Sequence, residues 1–224
     1  TSQAIALAYN TEPTAGTGND TNNTLGFGCM TPSVAGPDLG TVSENATTAI
    51  SILINDTDTV LGTPAINQIN GVSLTAGQST TLASGAIVTR NANNTLTYNP
   101  NGQFNYLVSA ATAAATGAVN GSVVDTFGYT LVGGGSATVS VTVNGVDGPG
   151  DQLRGDAGNN TLTGTAGVDF FNLSQGGNDT VSGGASNDAF YFGAAFAAGD
   201  LVDGGTGTND QVGLQGNYSY NFAA

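Results

Sequence analysis

The sequence predicts an all-β protein in two parts, a sandwich of short strands followed by a parallel β-solenoid. Three observations carry this prediction. The 224 residues include 35 glycines and abundant Thr, Asn, Ser and Val, while the strong helix formers Leu, Glu, Lys and Arg are scarce or missing. Short alternating apolar runs separated by turn dipeptides fill the middle of the chain. From residue 147 onward, glycine and an acidic or amide residue return with a near-constant period.

Residues 1–38 are rich in Thr, Asn, Gly and Pro and read as an N-terminal arm or linker. Within them Ala4–Ala8 is apolar enough to pair with a neighbour as a strand, and Gly16–Thr21 has turn chemistry. Residues 39–146 predict the sandwich. Its candidate strands are Ala49–Ile54, Ala65–Ile69, Ser79–Leu82, Ile87–Arg90, Leu96–Tyr98, Asp125–Val132 and Ala137–Val143. The turns between them are Asn70-Gly71, Ala76-Gly77, Ser84-Gly85, Asn93-Asn94 and Asn101-Gly102. Ala110–Ala118 is a helical turn that Gly117 would end. Tyr98, Phe104, Tyr106, Phe127 and Tyr129 fall in alternating patterns and read as core residues in preference to a sugar-binding platform. Residues 147–224 form the solenoid, and the chain reads as a piece of a longer protein.

Charge narrows the function. Sixteen acidic residues face two basic ones, Arg90 and Arg154, with no lysine or histidine, for a net charge of −14. Such a chain lacks the basic face that nucleic acid requires and is repelled by anionic membrane surfaces. Without histidine or lysine there is no Ser-His-Asp system, no histidine zinc site, no Schiff base and no P-loop. A carboxylate-pair hydrolase remains open in principle, but the chain is expected to be non-enzymatic. The single cysteine, Cys29, excludes an internal disulfide, and a hard cation with oxygen ligands is the natural substitute staple.

The positions of the carboxylates give that expectation its detail. Nine of the sixteen lie between Asp147 and Asp210. The acidic or amide position of each repeat falls at Asp151, Asn160, Asp169, Asp179 and Asp188, and the apolar position at Leu153, Leu162, Phe171, Val181 and Phe190. Both series step by nine, nine, ten and nine residues. If each repeat is half a coil, turns alternate between two edges, and one inward side chain per strand fills a narrow core. Asp151 then meets Asp169, Asn160 meets Asp179, and Asp169, between two stacked turns, also meets Asp188. Asp147 and Asp156 lie beside these turns. After an interruption at residues 192–202, a last copy with one residue too many contains Asp210. A metal-free solenoid with its aspartates in solvent is the competing reading.

These residues resemble the RTX, or haemolysin-type, calcium-binding repeat, Gly-Gly-x-Gly-x-Asp-x-apolar-x, a repeat already named as a calcium-binding β-helix. The resemblance implies a parallel β-roll with calcium held between turns by Asp carboxylates and turn carbonyls. Here Asn160 replaces one Asp, and Ser174-Gln175 replace a pair of leading glycines. The segments around Glu44-Asn45, Ile54-Asn55-Asp56-Thr57-Asp58, Leu96–Pro100 and Asp125–Thr130 resemble a bacterial cadherin-like or VCBS-type module. That resemblance implies an Ig-like sandwich with structural or junction calcium, and Glu44, Asp56, Asp58 and Asp125 occupy its acidic positions. Local spacing alone leaves calcium binding and a simple Asx turn both open at Asn55–Asp58.

Together these readings imply an extracellular, bacterial cell-surface protein: a calcium-binding structural or adhesive segment, such as an S-layer, matrix or filament subunit. Its partners would be calcium ions, further copies of itself, or other surface proteins and glycans, with no nucleic acid and no direct membrane insertion. RTX resemblance also implies type 1 secretion. Two alternatives stand beside this reading, a carbohydrate- or ice-binding adhesin module and the non-catalytic C-terminal region of a secreted RTX enzyme.

Overall fold

A computed structural model describes residues 33–58 and 62–218. Ala4–Ala8, Gly16–Thr21 and Cys29 lie outside the described residues. Among the described residues the chain is almost entirely strand and turn, with one short helix.

The first part comprises β1 (Asp38–Ser43), β2 (Thr48–Ile50), β3 (Ile66–Ile69), β4 (Ser79–Thr81), β5 (Ile87–Arg90), β6 (Leu96–Asn99), α1 (Ala110–Thr116), β7 (Ser122–Leu131) and β8 (Ser136–Asn144). They form two four-stranded sheets, ordered β1-β8-β7-β3 and β2-β6-β5-β4. One core lies between the sheets: Val42, Phe127, Tyr129, Val139 and Val141 come from one, Ile50, Val88, Leu96 and Tyr98 from the other. This is a β-sandwich. The aromatic residues assigned to its interior are there: Tyr98, Phe104, Phe127 and Tyr129 are buried, and Tyr106 packs half-buried against them.

Turn chemistry sets the hairpins. Asn70 and Gly71 both have positive φ, 50° and 79°, which returns the chain tightly from β3. The helix is capped as expected: Ser109 accepts the Thr112 N–H at 3.1 Å, and Gly117, at φ 81°, donates its N–H to the Ala113 carbonyl.

Two strands differ from expectation. β2 stops at Ile50, after which the chain turns so that Ile52 is fully buried while Ile54 is 85% exposed. β1 carries little apolar alternation, since Leu39 is exposed and Gly40 has no side chain, yet it pairs in parallel with β8 over six residues. Its place is set by backbone hydrogen bonding to a neighbour far away in sequence, which local pattern does not encode.

The second part comprises β9 (Leu153–Arg154), β10 (Thr161–Thr163), β11 (Phe170–Asn172), β12 (Thr180–Ser182), β13 (Ala189–Gly193), β14 (Leu201–Asp203) and β15 (Gln211–Leu214). Odd and even half-coils separate into two parallel sheets, β15-β13-β11-β9 and β10-β12-β14. Phe171 registers with Leu153 and Phe190, and Leu162 with Val181. The inward residues Leu153, Leu162, Phe171, Val181 and Phe190 share one buried core, with Phe171 and Phe190 stacked at 4.8 Å. The all-β architecture with a parallel β-roll is therefore as the period of nine requires.

The sequence at 192–202, read above as an interruption, is a detour within the roll. Phe196 packs on the core and meets Phe192 edge-on at 5.0 Å. The half-coil then resumes as β14, whose Val202 registers with Val181. The extra length loops out because only the three-residue strands and their preceding turns must keep register.

The sandwich closes one end of the roll. Leu107 faces the sandwich core and its neighbour Val108 faces the roll core, where Ala118 joins it. The buried side chain of Asn120 holds the seam. Its Nδ2 donates to the Tyr106 and Gln152 carbonyls at 2.8 and 2.9 Å, and its Oδ1 accepts the Arg154 N–H at 3.2 Å. Arg154 lies 3.8 Å over the Tyr106 ring. Replacing Asn120 with Ala leaves these backbone groups without partners, so Asn120→Ala is expected to cost on the order of 2–3 kcal/mol. Thermal denaturation of the variant checks this.

Candidate metal centre

The two edges of the roll carry two ladders of carboxylates. On one edge the Asp169 N–H donates to Asp188 Oδ1 at 2.9 Å, and the Asp188 N–H donates to Asp210 Oδ1 at 2.9 Å. On the other, the Asn160 N–H donates to Asp179 Oδ1 at 2.9 Å, and the Asp179 N–H donates to Asp200 Oδ1 at 2.7 Å. Each bond spans one full coil of 19 to 22 residues. One oxygen of Asp179, Asp188, Asp200 and Asp210 is thus fixed by the backbone of the coil before it, whereas Asp169 Oδ2 and Asp200 Oδ2 accept N–H groups of their own turns, Thr165 and Ala197, at 2.7 Å each.

At Asp188 the second oxygen is stranded. The residue is 1% exposed, and its Oδ2 has no hydrogen-bond partner. A methyl group built on Gly183 would fall 2.3 Å from Asp188 Oδ2 and 2.6 Å from the Gly204 carbonyl. These oxygens from successive coils therefore converge where no side chain fits. At Gly207 the Ser186 carbonyl and the Asp210 carboxylate converge in the same way. Glycine is needed at these positions because any Cβ would occupy the space between the oxygens.

Electrostatics points the same way. Burial raises the carboxyl pKa of Asp188 above the ordinary 3.8; the Asp169 N–H opposes this, and the charges of Asp169 and Asp210 add to it. Burial also raises Asp179, opposed by the Asn160 N–H and reinforced by Asp200 and Asp156. The roll therefore holds like charges together out of reach of solvent, an arrangement that costs free energy until a cation joins it.

These donors fit calcium. They are all oxygens, carboxylates mixed with backbone carbonyls, the hard set that calcium takes in six- to eight-fold coordination. Among the described residues no three acidic side chains close around one point, so carbonyls would supply most of any ligand shell. Adjacent pairs would hold ions between coils: Asp169 with Asp188 and Asp188 with Asp210 on one edge, Asp179 with Asp200 on the other. When bound, calcium supplies the positive charge between coils.

Several expected residues sit elsewhere. Asp151 does not join the ladder: its N–H bonds the Gly148 carbonyl, and its Oδ2 accepts the Gly148 N–H at 2.9 Å. A cleft of about 560 Å³, lined by Asp147, Asp151 and Asp169 among others, lies beside this first turn. Asp188, with a carboxylate coil on each side, therefore takes the place expected for Asp169. Asp147 accepts from the Ser109 N–H at 2.8 Å and the Ser109 and Thr112 hydroxyls at 2.9 Å each, which holds its carboxyl below the usual range. Asp156 is tied into its own turn by the Gly158 N–H at 2.8 Å and by Asn160. Glu44 is buried, with Oε2 unpartnered; burial raises its pKa, and Asp151 and Asp147 are near enough to add to the shift.

Among the described residues the remaining sandwich carboxylates form no group of three around one point. Asp125 accepts the Ser84 and Tyr98 hydroxyls, each at 2.7 Å, while Asp56 lies at the Tyr129 hydroxyl. Asp58 is buried, and its carbonyl accepts the Gly62 N–H. The functional residue that sequence reading missed is Asp200. Its signal was present as Gly199-Asp200-Leu201-Val202, an Asp two residues before an inward apolar residue, but the detour broke the count of nine.

The geometry defines a calcium-binding β-roll. In agreement, residues 150–176 and 175–195 match the model of the RTX calcium-binding nonapeptide repeat, in four copies. RTX nonapeptide repeats bind calcium ions, and proteins that carry them are typically secreted, which fits an extracellular location. No curated protein and no solved structure matches the chain at a significant level.

Asp188→Asn separates the two roles of this side chain. The amide retains the acceptor for the Asp169 N–H and removes a charge that burial penalises. In chelator the variant is expected to melt above the parent protein. In calcium the order reverses, because the parent gains about 2.7 kcal/mol per site at a hundred-fold excess over Kd and the variant loses that gain at its site. Calorimetry in the two buffers checks the crossover.

Proposed function

We propose that this chain is a non-enzymatic, calcium-folded segment of a bacterial surface protein, structural or adhesive in role. The observation that carries the reading is the buried Asp188 carboxylate between Asp169 and Asp210, whose Oδ2 has no hydrogen-bond partner. A coil stack of this kind is unstable as a polyanion and stable as a calcium complex. Binding free energy then becomes folding free energy.

The logic suits export. Extracellular calcium modules bind with Kd of about 10⁻⁴–10⁻³ M, far too weakly to fill inside a cell. The acidic chain stays unfolded there, and it folds outside where calcium is plentiful. Its composition supports a scaffold over a catalyst, since no lysine or histidine is available for acid-base or nucleophilic work. A sandwich seated on the end of the roll supports a load-bearing or adhesive role for the pair. Among the described residues no helix is long and apolar enough to cross a membrane.

Titration of chelator-treated protein with calcium tests the reading. Near-ultraviolet circular dichroism should develop with calcium at millimolar concentration, and the melting temperature should rise with it. An unchanged spectrum together with an unchanged melting temperature would remove the basis for calcium-driven folding.

A further inference from the structure

β7 carries a glycine that its backbone does not require. Gly128 lies inside the strand between Phe127 and Tyr129, whose side chains fill the core. Its φ is not positive, and a methyl group built on it would meet only the Ala137 carbonyl, at 3.8 Å. Glycine in a strand interior weakens the strand, and it often marks a place where a ligand approaches the backbone. The outward face of β7 therefore runs Thr126, Gly128, Thr130, with the middle side chain missing.

The gap is the floor of a cleft of about 400 Å³, within the span of about 300–1,000 Å³ that small-molecule sites occupy. Asn70 and Gly71 wall one side, where the turn that leaves β3 crosses Gly128 and the Asn70 N–H donates to the Gly128 carbonyl at 2.7 Å. Ser136 and Thr138 of β8 wall the other, in register with Thr130 and Gly128. Thr130 borders the floor, and its Oγ1 is buried with no hydrogen-bond partner. Asn70, Ser136 and Thr138 are exposed. The cleft thus gathers one orphaned hydroxyl, two further hydroxyls and an amide. A buried hydroxyl without a partner costs free energy that a ligand hydroxyl would recover.

The lining selects the ligand. It contains no charged side chain, and Tyr129, the one aromatic residue that borders it, is only 2% exposed. An ion finds no counter-charge there, and an apolar ligand finds no broad apolar wall. Anions are repelled by the net charge of −14. What matches is a neutral molecule whose hydroxyls both donate and accept, as those of Ser and Thr do. We infer that the Gly128 cleft binds a neutral sugar through the Thr130 and Thr138 hydroxyls and the Asn70 amide. The inference rests on the adhesive form of the proposed role and gives that role a site. The cleft lies on the outward face of the β1-β8-β7-β3 sheet and shares no residue with the carboxylate ladders of the roll.

Saturation-transfer difference NMR on the calcium-loaded whole chain tests this. The probes are the methyl glycosides of glucose, galactose and mannose, with sialic acid as the charged control. At least one neutral glycoside is expected to show transfer, and sialic acid none. Gly128→Thr adds a side chain that the strand accepts and that fills the cleft. It is expected to melt no lower than the parent and to lose the signal. Asn70→Gly keeps the positive φ of the turn and removes the amide; it is expected to weaken binding about ten-fold, the loss of one good hydrogen bond. An unchanged signal in folded Gly128→Thr, or equal transfer from sialic acid, would overturn the site. Should Gly128→Thr not fold, unchanged affinity in Asn70→Gly overturns it. No transfer from any neutral glycoside, in a chain that folds on calcium, also overturns the site and leaves the calcium-folded scaffold standing. Transfer in a chain that is folded without calcium would keep the site and remove calcium-driven folding.

Discussion

A chain with two arginines, no lysine and no histidine must find the counter-charge for its buried carboxylates outside itself. This constraint governs the rest of the structure. The roll returns to the same edge every 19 to 22 residues and so places aspartates above one another. In a protein with ordinary basic content, such stacks would be paired or spread apart. Here the backbone N–H of one coil fixes one oxygen of the next, and at Asp188 the other oxygen is buried without a partner. The fold thereby organises a charge deficit that one kind of ion can fill. Neutralising −14 takes about seven divalent cations, and the edges of the roll are where the fold stacks carboxylates to receive them.

Oxygen atoms gather in both architectures, by different routes. In the roll, repetition creates the oxygen clusters, and glycine keeps the space between coils clear. In the sandwich, segments from distant parts of the sequence meet at the Tyr129 hydroxyl. The seam between them is held differently, by the amide of Asn120, which satisfies backbone groups on both sides without charge. The neutral seam fixes the sandwich against the roll without calling on a cation.

Much of the roll was legible in the sequence because its determinants are local and periodic. The inward series from Leu153 to Phe190 and the alternation between two edges followed from counting in nines. Counting failed where length varied: Asp200 was hidden by a detour that register tolerates, and Asp151 turned toward Gly148 because the first coil has a linker in place of a preceding repeat. The sandwich was legible in its hairpins, where Asn and Gly set the turns, and less so in β1, which sends one apolar side chain, Val42, into the core and otherwise rests on pairing with β8. Its carboxylates were the least legible. Asp56 was visible as an acidic residue, but nothing local shows that it meets the Tyr129 hydroxyl, 73 positions later in the chain.

The central claim is that the oxygens stranded between coils are ligands. Anomalous difference density from crystals grown in calcium tests it most directly. The account predicts peaks on the edge formed by Asp169, Asp188 and Asp210, with Asp188 Oδ2 and turn carbonyls at about 2.3–2.6 Å. A map that showed Asp188 Oδ2 bonded to water or protonated, with no peak between the coils at millimolar calcium, would contradict it.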